Sequence, residues 1–316
     1  MERGVLISGA SGLIGTALAY ALRQKGYLVH TLVRYHPEVE NKIYWDPESG
    51  NIDLNDLSDY EWVINFAGES IDSRWNQKKK NRIWSSRVKS TKLLASLIRN
   101  SACPPTTFLS ASAIGYYGNQ GDSLLDESSA AGTGFLSDLC LHWEKEAFSA
   151  DDVCRVICPR IGMVLDPHGG ALRKMLPAFK LGIGGKFGSG NQYISWIELG
   201  DLVALLIFCL EHGTLKGVVN ACSPIAVTNQ DFTRALANTI SRPAFLSLPS
   251  PLLRLVFGEM AKELLLASAR VQPKKILEAG FLFKYTNIRE VFDRFCRPSG
   301  SARIGLSQTS SITLAL

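Results

Sequence analysis

The chain has 316 residues, 46% of them hydrophobic and 20% charged, with a formal net charge of +5. That length and mix build a sizeable core, in one large domain or two unequal ones, and exclude a disordered chain. The mild basic excess suits an anionic small ligand as well as nucleic acid, so charge alone selects no partner.

Val5-Leu6-Ile7 is a short continuous apolar run, the pattern of a strand buried on both faces. Gly9-Ala10-Ser11-Gly12-Leu13-Ile14-Gly15 follows, then a helical stretch to about Lys25, which Gly26 ends in a left-handed cap. Leu28 to Val33 reads as the second strand, ending at Arg34. Glu61 to Phe66 is a third, opening into Ala67-Gly68-Glu69, and a basic helix runs from about Gln77 to Asn100. Thr107 to Ser110 is the next strand, Phe135 to Ser149 a helix, and Arg155 to Val164 a returning strand. Cys154 and Cys158 are read as sharing one face of that last strand.

From about Gly169 the texture changes. Leu181 to Gly190 is glycine-rich, Trp196 follows, and Asp201 is the expected N-cap of a helix reaching His212. Val218 to Ala221 reads as one further strand, and two apolar helices lie beyond Pro243. Strands alternating with helices predict an α/β fold with a doubly wound parallel sheet. Residues 1–168 form the expected core, with 197–228 returning to it. Residues 169–196 and 229–297 form a smaller, interleaved substrate-side lobe, and 298–316 a loose tail.

The seven cysteines, Cys103, Cys140, Cys154, Cys158, Cys209, Cys222 and Cys296, contain no CxxC pair, and no histidine stands at ligand spacing from two of them. This predicts no metal site and no disulfide framework, and suits a reducing cytosol. Met1 to Gly4 is too short for a signal peptide, and the apolar run Leu202 to Leu210 is far below a membrane span. A cytoplasmic protein without a membrane or nucleic-acid partner is expected, as a monomer or homodimer.

In a doubly wound sheet, ligands bind at the carboxyl ends of the strands. The loops after Ser8, Phe66, Ser110 and Pro159 should therefore converge on one crevice. The first carries a GxxGxxG spacing between a strand and a helix. Glycine lets the backbone approach a pyrophosphate, and the helix N-terminus stabilises its charge. Gly9, Ser11, Gly12, Leu13, Ile14 and Gly15 are the expected dinucleotide contacts. Phe66, Ala67, Gly68, Glu69, Ser110, Pro159, Arg160 and Ile161 come from the neighbouring strand ends. Arg34 stands where an NAD site usually places an acid. An arginine there accommodates a 2′-phosphate, so NADP(H) is expected over NAD(H); the other reading is a solvent-exposed strand-end arginine.

These segments, in this order, resemble the extended short-chain dehydrogenase/reductases. More narrowly they resemble the epimerase-like subfamily labelled NAD-dependent epimerase/dehydratase. The resemblance runs from about residue 4 to about residue 293. It also rests on the stretches around Glu69 to Arg87, Pro159 to Leu165, Gly182 to Ile197, and Arg242 to Phe245. It implies a Rossmann core with a small C-terminal domain, and some relatives bear a cell-division-inhibitor label. It also implies a catalytic Ser/Thr with a Tyr-x-x-x-Lys pair, in which Tyr moves a proton and Lys holds the nicotinamide ribose.

Ser112 matches the serine, with a turn-forming serine as the alternative. The pair is missing: Leu136 and Cys140 stand at its positions, and no tyrosine occurs between Gly118 and Tyr193. Tyr116 or Tyr117 could supply the phenol, or could only pack the loop. Asp138 and His142 could form a proton relay, or a solvated face.

On the substrate side, Gly182 to Gly190 resembles a loop closing over substrate, followed by Gln192, Tyr193 and Trp196. The position of Glu198 carries a histidine in relatives. The basic stretch Arg74, Trp75, Lys78, Lys79, Lys80, Arg82 and Arg87 either collects an anion or is a solvated helix face. Two functions follow. One is an NADP(H)-binding epimerase or oxidoreductase acting on a small anionic or sugar-like substrate. The other is an inactive nucleotide-binding regulatory or cell-division-related protein.

Overall fold

In the computed structural model, which describes residues 4–296, the first apolar run is β1, Gly4–Ser8, with every residue buried. The other strands of its sheet are β2 Leu28–Val33, β3 Lys42–Asp46, β4 Asn51–Ile52, β5 Tyr60–Asn65, β6 Thr107–Ser110, β7 Ser112–Ala113, β8 Arg155–Ile161 and β9 Gly217–Ala221. They lie in the order β9-β8-β6-β5-β1-β2-β3-β4, with β7 pairing β8. All neighbours are parallel except the terminal β3–β4 pair. The tail predicted at 298–316 lies outside the described residues.

Alternation along the strands sorts their side chains to two faces. Val5, Ile7, Trp62, Ile64, Leu109 and Ile157 point to one face. There they meet Leu18 and Leu22 of α1 (Leu13–Gln24) and Leu202, Leu205 and Leu206 of α5 (Leu199–Glu211). Leu6, Val63, Phe108, Val156 and Cys158 point to the other. There they meet Leu94, Ala95 and Ile98 of α2 (Gln77–Asn100) and Ala147 of α3 (Phe135–Phe148). Each fully buried leucine or isoleucine contributes about 1.5–3 kcal/mol, so coverage of both faces explains why continuous apolar runs were required. Cys154 precedes β8 rather than lying in it, yet it packs against the same core as Cys158.

A further core joins Leu165 and Trp196 to α4 (Gly170–Lys180), α6 (Asn229–Thr239) and, at the C-terminal side, Val291 and Phe292. Between α6 and that end lie α7 (Ser250–Phe257) and α8 (Lys274–Glu278); Val291 and Phe292 belong to α9 (Ile288–Cys296). Two short parallel pairs, Met163–Leu165 with Trp196–Glu198 and Gly185–Phe187 with Leu246–Leu248, tie these elements together.

The start of α5 differs from expectation. Glu198, not Asp201, is its N-cap, and its Oε2 accepts from the Asp201 N–H at 2.9 Å. Asp201 instead accepts the backbone N–H groups of Lys284 and Tyr285 at 3.0 and 2.8 Å. A carboxylate in the first turn can serve another chain segment once a neighbour caps the helix. No helix of the described residues is long and apolar enough to cross a membrane.

Candidate functional site

The order of the sheet reverses at β1: the chain runs outward through β2 and β3, then returns to β5 on the other side. The crevice at that switch point is where α/β sheets bind ligands. Gly9 turns there with φ +70°, and a Cβ on it would lie 2.5 Å from the carbonyl of Phe66. The loop therefore presses against the end of β5. Gly12 donates to the Gly9 carbonyl at 3.0 Å and is the N-cap of α1 with no side-chain cap. A Cβ on Gly15 would meet that same carbonyl at 2.3 Å. The first turn of α1 contains no acidic residue, so its free N–H groups and dipole present an uncompensated positive end.

Ser11 and Gly12 are exposed, and Ile14 packs on the core beneath. Leu13 lies against Gly169, where an added Cβ would come within 2.6 Å of its side chain. Behind the strand ends, the Ser8 Oγ donates to Asn65 Oδ1 at 2.6 Å, and Asn65 Nδ2 donates to Thr91 Oγ1 at 2.7 Å and to Ser110 Oγ at 3.4 Å. This network fixes the end of β5, and Ser110 is fully buried in it.

Arg34 is exposed at the end of β2, with no hydrogen bond or ion pair to any described residue. Its positive charge still helps to lower the Glu69 carboxyl. The larger influence there is Lys79, which donates to Glu69 at 2.7 Å and holds the carboxyl below the usual range; Arg82 stands at 3.6 Å. The basic stretch of α2 is thus largely used within the molecule. Lys80 bonds Glu259 at 2.9 Å, and Trp75 is buried with its indole donating to the Ile71 carbonyl.

Pro159, Arg160 and Ile161 are not in a loop: they are the last, buried residues of β8. Arg160 is 3% exposed and pairs with Glu144 of α3 through two bonds of 2.8 Å, and it also donates to the Tyr117 hydroxyl at 3.0 Å. Arg160 is thus paired in the core, where a buried guanidinium needs a buried carboxylate. Ser112, 3% exposed, donates its hydroxyl to the same Glu144 at 2.6 Å. Glu144 is not legible as a site residue, because a glutamate one position past Trp143 on a helix carries no signal of an arginine sixteen residues on.

Tyr117 is fully buried, donating to Asn220 Oδ1 at 2.7 Å, and burial pushes its phenol up to about 12. Tyr116 is half-buried, with Arg160 Cζ 3.3 Å from its ring centre, and its hydroxyl has no partner among the described residues. Cys140 is buried near the Ala113 carbonyl, and burial pushes its thiol up to about 12. His142 Nδ1 meets the Asp138 backbone carbonyl at 2.8 Å rather than its carboxylate, on an exposed face.

The substrate-side residues are also largely committed. Gln192 donates to the Phe187 and Leu265 carbonyls, Trp196 is fully buried, and Glu198 holds Arg294 at 2.8 Å besides capping α5. Among the described residues no group of three or more His, Cys, Asp or Glu could hold a metal ion.

A dinucleotide-type crevice on a largely parallel sheet, with a further core joining Leu165 and Trp196 to α4, α6 and α9, defines the class. Residues 5–222 match the NAD dependent epimerase/dehydratase family, and residues 248–294 match a domain of unknown function, DUF1731. The chain belongs to the NAD dependent epimerase/dehydratase family. It is 42% identical over 288 residues to the epimerase family protein Mb2239 of Mycobacterium bovis, covering 90% of this chain and 95% of that one. It is similar to the crystal structure of human epimerase family protein SDR39U1 (isoform 2) with NADPH, at a TM-score of 0.86 and 32% identity, covering 93% and 99% of the two chains. It is also similar to a nucleoside-diphosphate sugar epimerase from Corynebacterium glutamicum, at a TM-score of 0.76 and 33% identity, covering 94% of this chain and 58% of that one.

Proposed function

We propose that this chain binds NADP(H) at the switch-point crevice and acts as an epimerase or oxidoreductase on a small anionic or sugar-like substrate. The observation that carries this reading is the pairing of an uncapped α1 N-terminus, in a cradle that a Cβ at Gly9 or Gly15 would fill, with an unpaired cation at Arg34. The first suits a pyrophosphate and the second a 2′-phosphate. The NADPH in the human SDR39U1 structure supports it by similarity, and the sugar-nucleotide epimerase likeness supports the substrate class.

A bound nicotinamide would supply hydride donation or acceptance. The chain's own part is to hold the phosphates on α1 and Arg34, and to offer a proton from a hydroxyl at the crevice. Ser112 would have to give up its bond to Glu144 to orient a substrate oxygen, whereas the Tyr116 hydroxyl is uncommitted. We therefore place the proton donor at Tyr116. A nucleotide-binding regulator without turnover is the second reading, favoured by the committed Ser112 hydroxyl and by Leu136 and Cys140 in place of a Tyr–Lys pair.

Equilibrium titration with NADPH and NADH tests the cofactor. Arg34→Asp is expected to weaken NADPH by about tenfold or more, one to two charge-assisted hydrogen bonds, while leaving NADH nearly unchanged. An unaltered NADPH preference refutes the role of Arg34. NADPH oxidation that disappears in Tyr116→Phe rejects the regulatory reading.

A further inference from the structure

From Pro167 to Ile197, and again from Phe232 to Gly258, the chain contains no aspartate or glutamate, while the two stretches together carry seven lysines and arginines. The fold lays them side by side. Gly185–Phe187 pairs in parallel with Leu246–Leu248. A Cβ added to Gly182 would stand 3.5 Å from Pro243, and one added to Gly188 would stand 2.5 Å from the hydroxyl of Ser250, the first residue of α7. Along this seam large apolar side chains stand in water. Phe245 is 92% exposed and Leu181 74%, and Ile183 and Leu246 are exposed beside them. On α7, Leu252, Leu255 and Val256 are exposed at the i, i+3 and i+4 positions of one helix face, Leu255 at 72%, while Leu253 is buried. Lys180, Arg242 and Arg254 are exposed, and their side chains make no hydrogen bond or ion pair with a described residue. The glutamates just past the two stretches are taken: Glu198 holds Arg294, and Glu259 holds Lys80.

Single exposed apolar residues are ordinary on a protein surface, whereas a cluster of them marks a surface that something covers. The charge around the cluster selects the cover. A second copy of the chain would set cations against cations, which opposes association. A surface that is both negative and apolar just beneath accepts both sets of side chains at once. That is the chemistry of an anionic bilayer: apolar side chains enter the boundary of the acyl chains, and lysines and arginines stay at the level of the phosphates. Side chains as exposed as Phe245 and Leu181 protrude, which suits insertion into such a boundary. The sequence expectation of no membrane partner rested on the lack of a spanning run, and no helix of the described residues crosses a membrane. A contact with the surface of a bilayer needs no span.

We propose that the face built from Leu181 to Ile183, Phe245 to Leu246 and the exposed side of α7 docks the protein on the surface of an anionic lipid bilayer, with Lys180, Arg242 and Arg254 on the lipid phosphates. The inference is independent of the dinucleotide reading of the crevice, since none of these residues belongs to the glycine loop or to the strand ends around it.

The test is co-sedimentation of the full chain with vesicles of phosphatidylcholine alone and of phosphatidylcholine mixed with phosphatidylglycerol, at low and at high salt. The wild type is expected to bind the mixed vesicles, to bind the neutral ones about tenfold or more weakly, and to come off the mixed ones in high salt. The pair Phe245→Ser with Leu255→Ser is expected to lose about tenfold or more in affinity, and so is the pair Arg242→Gln with Arg254→Gln. Leu282→Ser, which removes an 88% exposed leucine outside the two stretches, is expected to bind as the wild type does. Exposed side chains contribute little to the fold, so all variants are expected to melt near the wild-type temperature. If the apolar pair does not fold, Phe245→Ser alone decides. A wild type that stays in solution with the mixed vesicles overturns the inference. Undiminished binding of the apolar pair also overturns it, because charge alone is then read. So does a wild-type dimer that the apolar pair converts to a monomer, because a second copy then covers the face.

Discussion

At the residue scale, two arginines of the same chain separate structure from function. Arg160 is buried against a carboxylate of its own, with Ser112 and Tyr117 bonded into the same network. That cluster welds α3 to β8 through side chains only. Glu144→Ala is therefore expected to destabilise the protein by about 3–5 kcal/mol, because it strands the Arg160 charge in the core. A denaturant midpoint near that of the wild type would show that the pair is not holding the two elements. Arg34 and Arg87, by contrast, have no carboxylate partner among the described residues. The sequence named Ser112, Arg34 and Arg160 at strand ends and Arg87 in the basic stretch of α2. It offered no way to tell the committed ones from the free ones, because commitment depends on Glu144 reaching across from a helix.

At the element scale, α1 is legible from its own residues. A strand, three glycines and an amphipathic helix are local features, and the helix ran close to its expected span. The third glycine is the most constrained of the three by contact. Gly15→Ala places a methyl 2.3 Å from the Gly9 carbonyl, so either α1 or the loop must shift. The expected result is a loss of about 1–3 kcal/mol in stability, the range for overpacking, together with weaker NADPH binding. Unchanged thermal melting and unchanged NADPH titration would contradict the close approach of loop and helix. The cap of α5 was misassigned for the opposite reason. Glu198 and Asp201 both read as plausible caps, and only the return of the chain at Lys284 and Tyr285 recruits Asp201 elsewhere. The sequence reads one strand from Arg155 to Val164; β8 ends at Ile161, and Met163–Leu165 pairs instead with Trp196–Glu198.

At the scale of the whole molecule, the two covered faces of the sheet account for the cysteines. Cys158 lies in the core on one side and Cys209 on the other, while Cys140 and Cys222 are buried near the crevice and behind it. Burial raises all four thiols, Cys140 and Cys209 to about 12, whereas Cys103 is exposed. A raised thiol pKa leaves little thiolate near pH 8, and burial blocks access as well. Alkylation of the native protein followed by peptide mapping should modify Cys103 and spare these four until the chain is unfolded. Rapid native labelling of Cys158 or Cys209 would mean that the sheet is not covered on that face.

The sequence by itself determined the parallel α/β architecture, because continuous apolar strands alternating with amphipathic helices have few other ways to bury their faces. It also determined the glycine loop with its helix N-terminus, and the absence of a Tyr-x-x-x-Lys pair, since each of these is a local pattern. Only the tertiary structure decided which polar groups remain available to a ligand. Ser112, Arg160 and Glu198 are spent on partners 32, 16 and 96 residues away, and Arg34 and Arg87 are left without a carboxylate. Pairings at such separations leave no periodic trace in the chain; they are set by which strands and helices the sheet brings side by side.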